Sequence, residues 1–563
     1  MKHYFNPLSR TLLVLLSVGL SAACSDKWDK HYSIDPSVTQ STILDNLKSN
    51  AEASNFVEVL KTTKVMNGDK TSDLTYEQLF DGDQFFTVWA PLNNSLTQDE
   101  WQEYMKPDKT AAENKQVVKT FLNNHVSRIK YSNDGTEKRI LTMSSKHYLM
   151  TKDSLETAAI KESNIPCTNG IMYTLSSKLE YKPNIYEYLT SSDSPYAETL
   201  GAFLLKHTKM ELNKEKSVSA GYYNEKAELV YADSVMELKN PVFDEFGFFN
   251  EEDSTYNLIL PVGGNWMSAL DSASVYFHYG LEARQDSDSL SEYKSNCALL
   301  TDAVFNMNTK MQPYYNAASG MKMVSTKYDL VEDPVKQVQY HTYVDPFKDG
   351  KFQGKYEFLD VIPCSNGNIY VCEYWPFDPF YTYAKPVVVE AEDDKNIVTS
   401  QIGMTTTVLT LPSFQIGEKT YRLSDDKALI GNYNQSWSIT FQAPNTLSGW
   451  NSFYAVIAPN NLAYNRRGQA AEVNKFQLSG TMTGVKETFQ QKQGARAVTY
   501  STNPEKLDTV YAGTYFLPDC YSDLNIAGLM LKFNQTLSTS ATLRQREVYI
   551  DCLIVKPTTA PEN

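Results

Sequence analysis

Residues 165–175 read IPCTNGIMYTL, and residues 362–372 read IPCSNGNIYVC. In each, Asn-Gly follows Ile-Pro-Cys and a small hydroxyl residue. Asn and Gly both tolerate positive φ, so the dipeptide marks a tight turn. An apolar, tyrosine-containing run follows, with Met172-Tyr173 standing where the second copy has Ile369-Tyr370. The unit is therefore strand, tight turn, strand. A second pair of stretches repeats upstream: FFTVWAPLNNSL over 85–96 and YNLILPVGGNWM over 256–267. Each is a strand-like run of aromatic and branched residues, broken by Pro91 or Pro261, that leads into a turn and a helix. Two motifs in the same order, twice, predict a duplicated domain.

The chain has 563 residues, 42% hydrophobic and 12% aromatic, with 37 tyrosines. That length predicts three or four domains at about 150 residues each, and the composition is ample for their cores. A net charge of -15 argues against nucleic acid and anionic lipid faces as partners. At the N-terminus, Lys2 and Arg10 flank the start of TLLVLLSVGLSAA, a run of signal-peptide length that is too short to span a membrane. The small residues ahead of Cys24 resemble the lipobox of bacterial lipoproteins, with Ser21 where a leucine is usual. This predicts a signal peptide over 1–23, a lipidated Cys24 and an anchored linker over 24–37. The competing reading is an ordinary cleaved signal with a stray cysteine. No second apolar run approaches the ~20 residues that a membrane helix needs.

Six further cysteines are scattered, with no CxxC and no metal spacing. Cys167 and Cys364 occupy the same place in the two copies, which predicts a buried small residue in each rather than a bridge. A Cys520–Cys552 disulfide stays open, with nothing in the spacing to support it.

In the first copy, Thr87-Val88-Trp89-Ala90-Pro91-Leu92-Asn93, then Phe121-Leu122-Asn123-Asn124-His125-Val126, then Thr168-Asn169-Gly170 resemble the motifs of the fasciclin domain. The second copy is more divergent: Leu258 to Trp266 departs from the first motif, no equivalent of the histidine motif stands out, and a long insertion over roughly 271–355 intervenes. The resemblance implies two α/β wedges, over 38–182 and 183–378, whose role is adhesion or binding. His125, following an apolar helix face without a motif partner, reads as a structural histidine. With the lipoprotein start, the motifs resemble fasciclin-domain surface lipoproteins of Bacteroidetes.

Beyond Pro386 the pattern changes to short alternating segments with turns between them, which predicts an all-β sandwich over 386–557. Val389-Glu390-Ala391-Glu392-Asp393 and Val548-Tyr549-Ile550-Asp551 resemble the first and last strands of jelly-roll carbohydrate-binding modules. That resemblance implies a structural calcium on Glu390, Glu392 and Asp551, since carboxylate oxygens suit a hard cation. The competing reading is a generic sandwich acting as spacer or docking surface. Trp437, Trp450, Tyr454 and Tyr464 are the aromatic candidates for a sugar platform, although strand aromatics more often serve a core.

The nucleophile-elbow, zinc-protease, dinucleotide and P-loop motifs are all missing from the sequence. A glycosidase needs only two carboxylates at a spacing that sequence does not reveal. Asp-Ser/Thr-apolar triplets at Ser154, Ser234, Ser272, Ser289 and Thr509 resemble the O-glycosylation sequon of Bacteroidetes. The fold class is multidomain α+β: two fasciclin-like wedges, then a jelly-roll-like sandwich. The expected function is non-enzymatic. It is a lipid-anchored protein on the outer-membrane surface of a Gram-negative cell that binds glycan or peptide, or scaffolds a SusC/SusD-type TonB-dependent importer with its SusD-like lipoprotein. Adhesion to cells or matrix is the alternative, and an envelope glycosidase the third.

Overall fold

The computed structural model describes residues 41–560 apart from 69, 216, 224–228, 234–235, 281–285, 309–321, 325–341, 345–346, 348–350, 353–354, 483–487, 490–496 and 525–527. The expected signal peptide, Cys24, the expected linker and Ser234 lie outside the described residues. The chain forms two compact units, dividing after Asn184.

The first unit is built on helices α1 (Ile43–Ser49) and α2 (Ser54–Thr62) and on strand β1 (Phe86–Pro91). Thr42 starts α1 with a capping box, its hydroxyl on the Asp45 N–H and the Asp45 carboxylate on its own N–H. A helical stretch, α3 (Ala111–Val117), continues through a π-turn over Val118–Leu122 into β2 (Val126–Ser127). Strands β3 (Lys138–Leu141), β4 (His147–Met150), β5 (Ser154–Leu155), β6 (Ala158–Cys167) and β7 (Gly170–Leu175) follow. The seven pair in the order β2-β1-β7-β6-β5-β4-β3. β1 and β7 are parallel, with Phe86 opposite Gly170, while β6 and β7 form the antiparallel hairpin foreseen around Asn-Gly. Every residue of β1 and β7 is buried, as expected for strands covered on both faces. Phe86, Val88 and Ala90 pack against the helices, and Trp89 packs on the other face with Ile140, Tyr148 and Tyr173.

The second unit opens with the same frame. Helix α4 (Ile185–Thr190) leads to β8 (Tyr256–Pro261), α5 (Asn265–Ser274) and α6 (Ser287–Leu300). Then come β9 (Val304–Asn306), β10 (Lys351–Phe352), β11 (Tyr356–Cys364) and β12 (Gly367–Cys372), paired β9-β8-β12-β11-β10. β8 and β12 are parallel, with Tyr256 opposite Gly367. The register corrects one point of the sequence reading. Leu258 pairs with Val304 as Val88 pairs with Val126, so Leu300-Thr301-Asp302-Ala303-Val304 is the missing middle motif, with Ala303 in the place of His125. It lies inside the stretch read as an insertion.

The rest of this unit is a two-sheet antiparallel sandwich. One sheet orders β15 (Thr405–Thr410), β16 (Lys427–Asn432), β24 (Glu547–Pro557), β18 (Gly449–Ala458) and β22 (Asp508–Leu517), with β13 (Val387–Glu390) also on β24. The other orders β14 (Ile397–Ser400), β17 (Trp437–Ala443), β23 (Leu529–Gln535), β19 (Lys475–Met482) and β20 (Thr488–Phe489), with β21 (Tyr500–Ser501) on β19. Its core includes Ile439, Phe441, Phe453, Phe476, Phe533 and Leu553. The sandwich is fused to the second wedge. Ser448 N–H donates to Tyr276 O at 3.2 Å, Tyr279 OH to Ser522 O at 3.1 Å, and Lys294 Nζ pairs with Asp523 at 2.7 Å. Leu447 and Cys520 from sandwich loops belong to the wedge's own core.

Candidate ligand-binding face

β18 and β22 run antiparallel with Trp450 opposite Phe516, Ser452 opposite Thr514 and Tyr454 opposite Tyr511. Residues directly opposite share a face. The alternate residues of β18, Phe453, Ala455 and Ile457, point into the core, so this set points outward. A bulge between Ser452 and Tyr454 adds one residue to β22, where Gly513 takes φ +109°. The bulge keeps Tyr511 on the same face as Thr514 and Phe516, and Tyr511 OH meets Thr514 Oγ1 at 2.7 Å. Trp450 and Phe516 meet edge to face at 5.5 Å between ring centroids, and Tyr454 and Tyr511 also stand 5.5 Å apart. Phe516 is 55% exposed and Tyr511 37%. Ile554 and Val388 extend the strip across β24 and β13, opposite Tyr454 and Ile554 respectively. Trp450, Tyr454 and Thr514 are half-buried and Ser452 is buried, so the exposed Phe516 and Tyr511 rings beside the Thr514 hydroxyl form the accessible part of the strip. They offer apolar contact and hydrogen bonds together, which suits the C–H faces and hydroxyl rims of a sugar.

The sequence named Trp450 and Tyr454 but missed Tyr511, Thr514 and Phe516. Their signal was the alternation in DTVYAGTYFL over 508–517, obscured by the bulge. Trp437 requires correction as a platform residue. It is 2% exposed in the sandwich core, against Phe533 and over Gly431, where a Cβ would come within 2.5 Å of the indole. Tyr464 is 87% exposed, but lies in the loop beyond β18, outside the strip, with the Arg467 guanidinium 5.8 Å from its ring. Arg467 also borders a separate cavity of about 570 Å³ with Phe414, Asn461 and Glu505.

Asp551 is buried in β24; the Ser424 N–H donates to its Oδ1 at 2.8 Å, and the Ser424 hydroxyl donates to Glu390 Oε1 at 2.5 Å. Burial, with the charges of Glu390 and Glu392 adding, pushes the Asp551 carboxyl up to about 7. Burial also raises Glu392, whose buried Oε2 has no protein partner. The donor chemistry therefore fits a hard cation. Among the described residues, however, no three His, Cys, Asp or Glu side chains are arranged as a metal's ligand set.

His125 is fully buried and structural. Its Nε2 accepts the Leu179 N–H at 2.9 Å, so Nδ1 carries the proton and donates to Phe121 O at 2.7 Å. Cys167 and Cys364 are buried as expected, and no disulfide joins Cys520 to Cys552. Of the modification candidates, Ser272, Ser289 and Thr509 are exposed, while Ser154 is half-buried and bonded to Thr151 at 2.9 Å.

Among known proteins, the Fasciclin domain family model matches residues 51–180. No curated protein sequence matches the chain. Similar solved structures include a GH26-CBM35 β-(1,4)-mannanase of Podospora anserina, at 18% identity and TM-score 0.19, covering 32% of this chain. The chain spans only 29% of that mannanase chain. A FAS1 domain pair from the insect cell adhesion molecule Fasciclin I is similar at 11% identity and TM-score 0.19, covering 53% of this chain and 90% of the other. TmCBM61 in complex with β-1,4-galactotriose is similar at 10% identity and TM-score 0.16, covering 31% of this chain and 90% of the other. Residues 51–180 are therefore a fasciclin domain, a domain type associated with adhesion or binding.

Proposed function

We propose that this protein is a non-enzymatic surface lipoprotein, anchored to the outer membrane through Cys24, which captures glycan on the Trp450–Phe516 and Tyr454–Tyr511 strip. It does so beside a SusC/SusD-type TonB-dependent importer. The observation that carries the reading is the strip: two aromatic pairs and a hydroxyl ladder on one outward sheet face. Exposed apolar rings rimmed by polar groups mark an interaction site. Affinity electrophoresis through polysaccharide-containing gels tests it. Retardation of the wild type by one polysaccharide, lost in Trp450→Ala and Phe516→Ala, is expected. Equal mobility of wild type and variants in every glycan sinks the glycan reading. Mild-detergent purification from outer membranes tests the importer, which should copurify with its lid lipoprotein.

The fasciclin domain at 51–180 favours a second reading, adhesion to cells or matrix. Loss of attachment in a deletion strain supports it. Glu390, Glu392 and Asp551 would hold a calcium ion that fixes the first strand to the last. Calcium should then raise the melting temperature of the wild type and leave Asp551→Asn unmoved.

A further inference from the structure

A cavity of about 500 Å³ opens in the first unit, within the usual range for small-molecule sites. Its apolar wall is Val65, Met66, Val118, Ile129, Leu141 and Met143. Val118 begins the π-turn that follows α3, a local widening of the kind that recurs at functional sites. Ile129 is 47% exposed at the mouth. The polar side combines the Ser127, Thr142 and Ser145 hydroxyls with the donors Asn123 and Arg128. Tyr76 OH donates to Asn123 Oδ1 at 2.6 Å, which leaves the Asn123 Nδ2 group as a donor on a residue of the cavity wall. Arg128 lines the same cavity, and its charge acts on the Tyr76 phenol. Among the described residues its guanidinium has no ion pair and no hydrogen bond, and no Asp or Glu lines the cavity. In a chain of net charge -15, a cation left without a carboxylate beside an apolar bowl is a specific vacancy of charge.

We propose that this cavity binds a small, free apolar carboxylate. The carboxylate pairs with the Arg128 guanidinium and the Asn123 amide, and the hydrocarbon lies among Met66, Val118, Ile129 and Met143. A guanidinium and an amide N–H are donors only, so they select an acceptor-only head group. A neutral head of the same length forfeits the charge-assisted bond. The site belongs to the first unit and does not depend on the glycan reading of the sandwich.

The test is isothermal calorimetry of the full chain with decanoate, with decanol and acetate as controls. Saturable one-to-one binding of decanoate is expected, about tenfold weaker in Arg128→Gln. Acetate should fail for want of a hydrocarbon tail, and decanol should bind more weakly than decanoate. Arg128 is exposed, so its substitution leaves the fold intact, which circular dichroism checks. Met143→Glu places a carboxylate inside the cavity and should abolish decanoate binding by repulsion. The proposal is overturned if decanoate shows no saturable binding, if Arg128→Gln binds it like the wild type, or if Met143→Glu leaves binding unchanged.

Discussion

The two wedges hold their frames together with the same bonds and close them in different ways. Asn169 Oδ1 accepts the N–H of Ile43, and its Nδ2 donates to Phe80 O and Gly82 O, all at 2.8 Å. Asn366 does the same work in the second wedge, accepting from Ile185 N–H at 2.9 Å and donating to Phe249 O at 2.7 Å and Glu251 O at 2.9 Å. The asparagine of each repeated turn thus ties the first residue of the leading helix and the segment before the central strand to one hairpin. This is why the chain says nearly the same thing twice. The closing differs. In the first wedge His125 receives the Leu179 N–H. Counting from the paired strands, Pro376 stands where Leu179 does, and proline has no N–H to give. The loss of the donor and the change of histidine to Ala303 go together.

The hardest test of this equivalence is the glycine after each asparagine. A Cβ on Gly367 would lie 1.7 Å from Tyr256 O, and on Gly170 it would lie 2.1 Å from Phe86 O. Both clashes are with the backbone of the parallel neighbour, which cannot move without opening the sheet. Gly367 also has φ +143°, a conformation that other residues rarely adopt. Gly367→Ala should therefore prevent the second wedge from folding, and Gly170→Ala the first. Limited proteolysis with mass mapping reads which one is lost. A protease-resistant wedge in either variant breaks the shared frame.

Asn169→Ala and Asn366→Ala each remove three hydrogen bonds and strand buried backbone groups. Each should cost roughly 3–9 kcal/mol, at about 1–3 kcal/mol per stranded group. Urea unfolding followed by the fluorescence of each unit measures this. Near-equal losses sharpen the comparison, and a variant with a wild-type midpoint breaks it.

How much of this was legible in the sequence follows from the same residues. The duplication, the Asn-Gly hairpins and the run of sandwich strands were readable because turn residues and strand alternation leave local marks. Only Gly367 of the two dipeptides takes the positive φ expected of them, however; Gly170 is needed for the close approach of Phe86 O instead. The second middle motif was not readable, because Leu300-Thr301-Asp302-Ala303-Val304 keeps only the two apolar anchors of Leu122 to Val126. Pairing register, a non-local property, exposed it. The aromatic strip was half legible for a similar reason. Trp437 and Trp450 are both strand tryptophans in aromatic-rich segments, and only the packing of the two sheets separates the core residue from the surface one.

The smallest predicted effect isolates the closing difference. Burial holds the His125 imidazole down at about 4, with Lys178 adding to the shift against the Phe121 carbonyl. In the unfolded chain a histidine titrates near ~6.5. Above that value both states are neutral and the bond to Leu179 contributes fully. Between about 6.5 and 4 the unfolded chain takes up a proton that the folded first wedge refuses, so stability falls as pH falls. Below about 4 both states are protonated and the loss is complete, at about 3 kcal/mol. His125→Gln keeps the polar contacts in reach but does not titrate. The wild type should lose stability relative to this variant over that window, and the two curves should run parallel above it. Parallel curves throughout would mean that the first wedge tolerates a charged imidazole there, and that the histidine and the alanine are interchangeable ways to close the same frame.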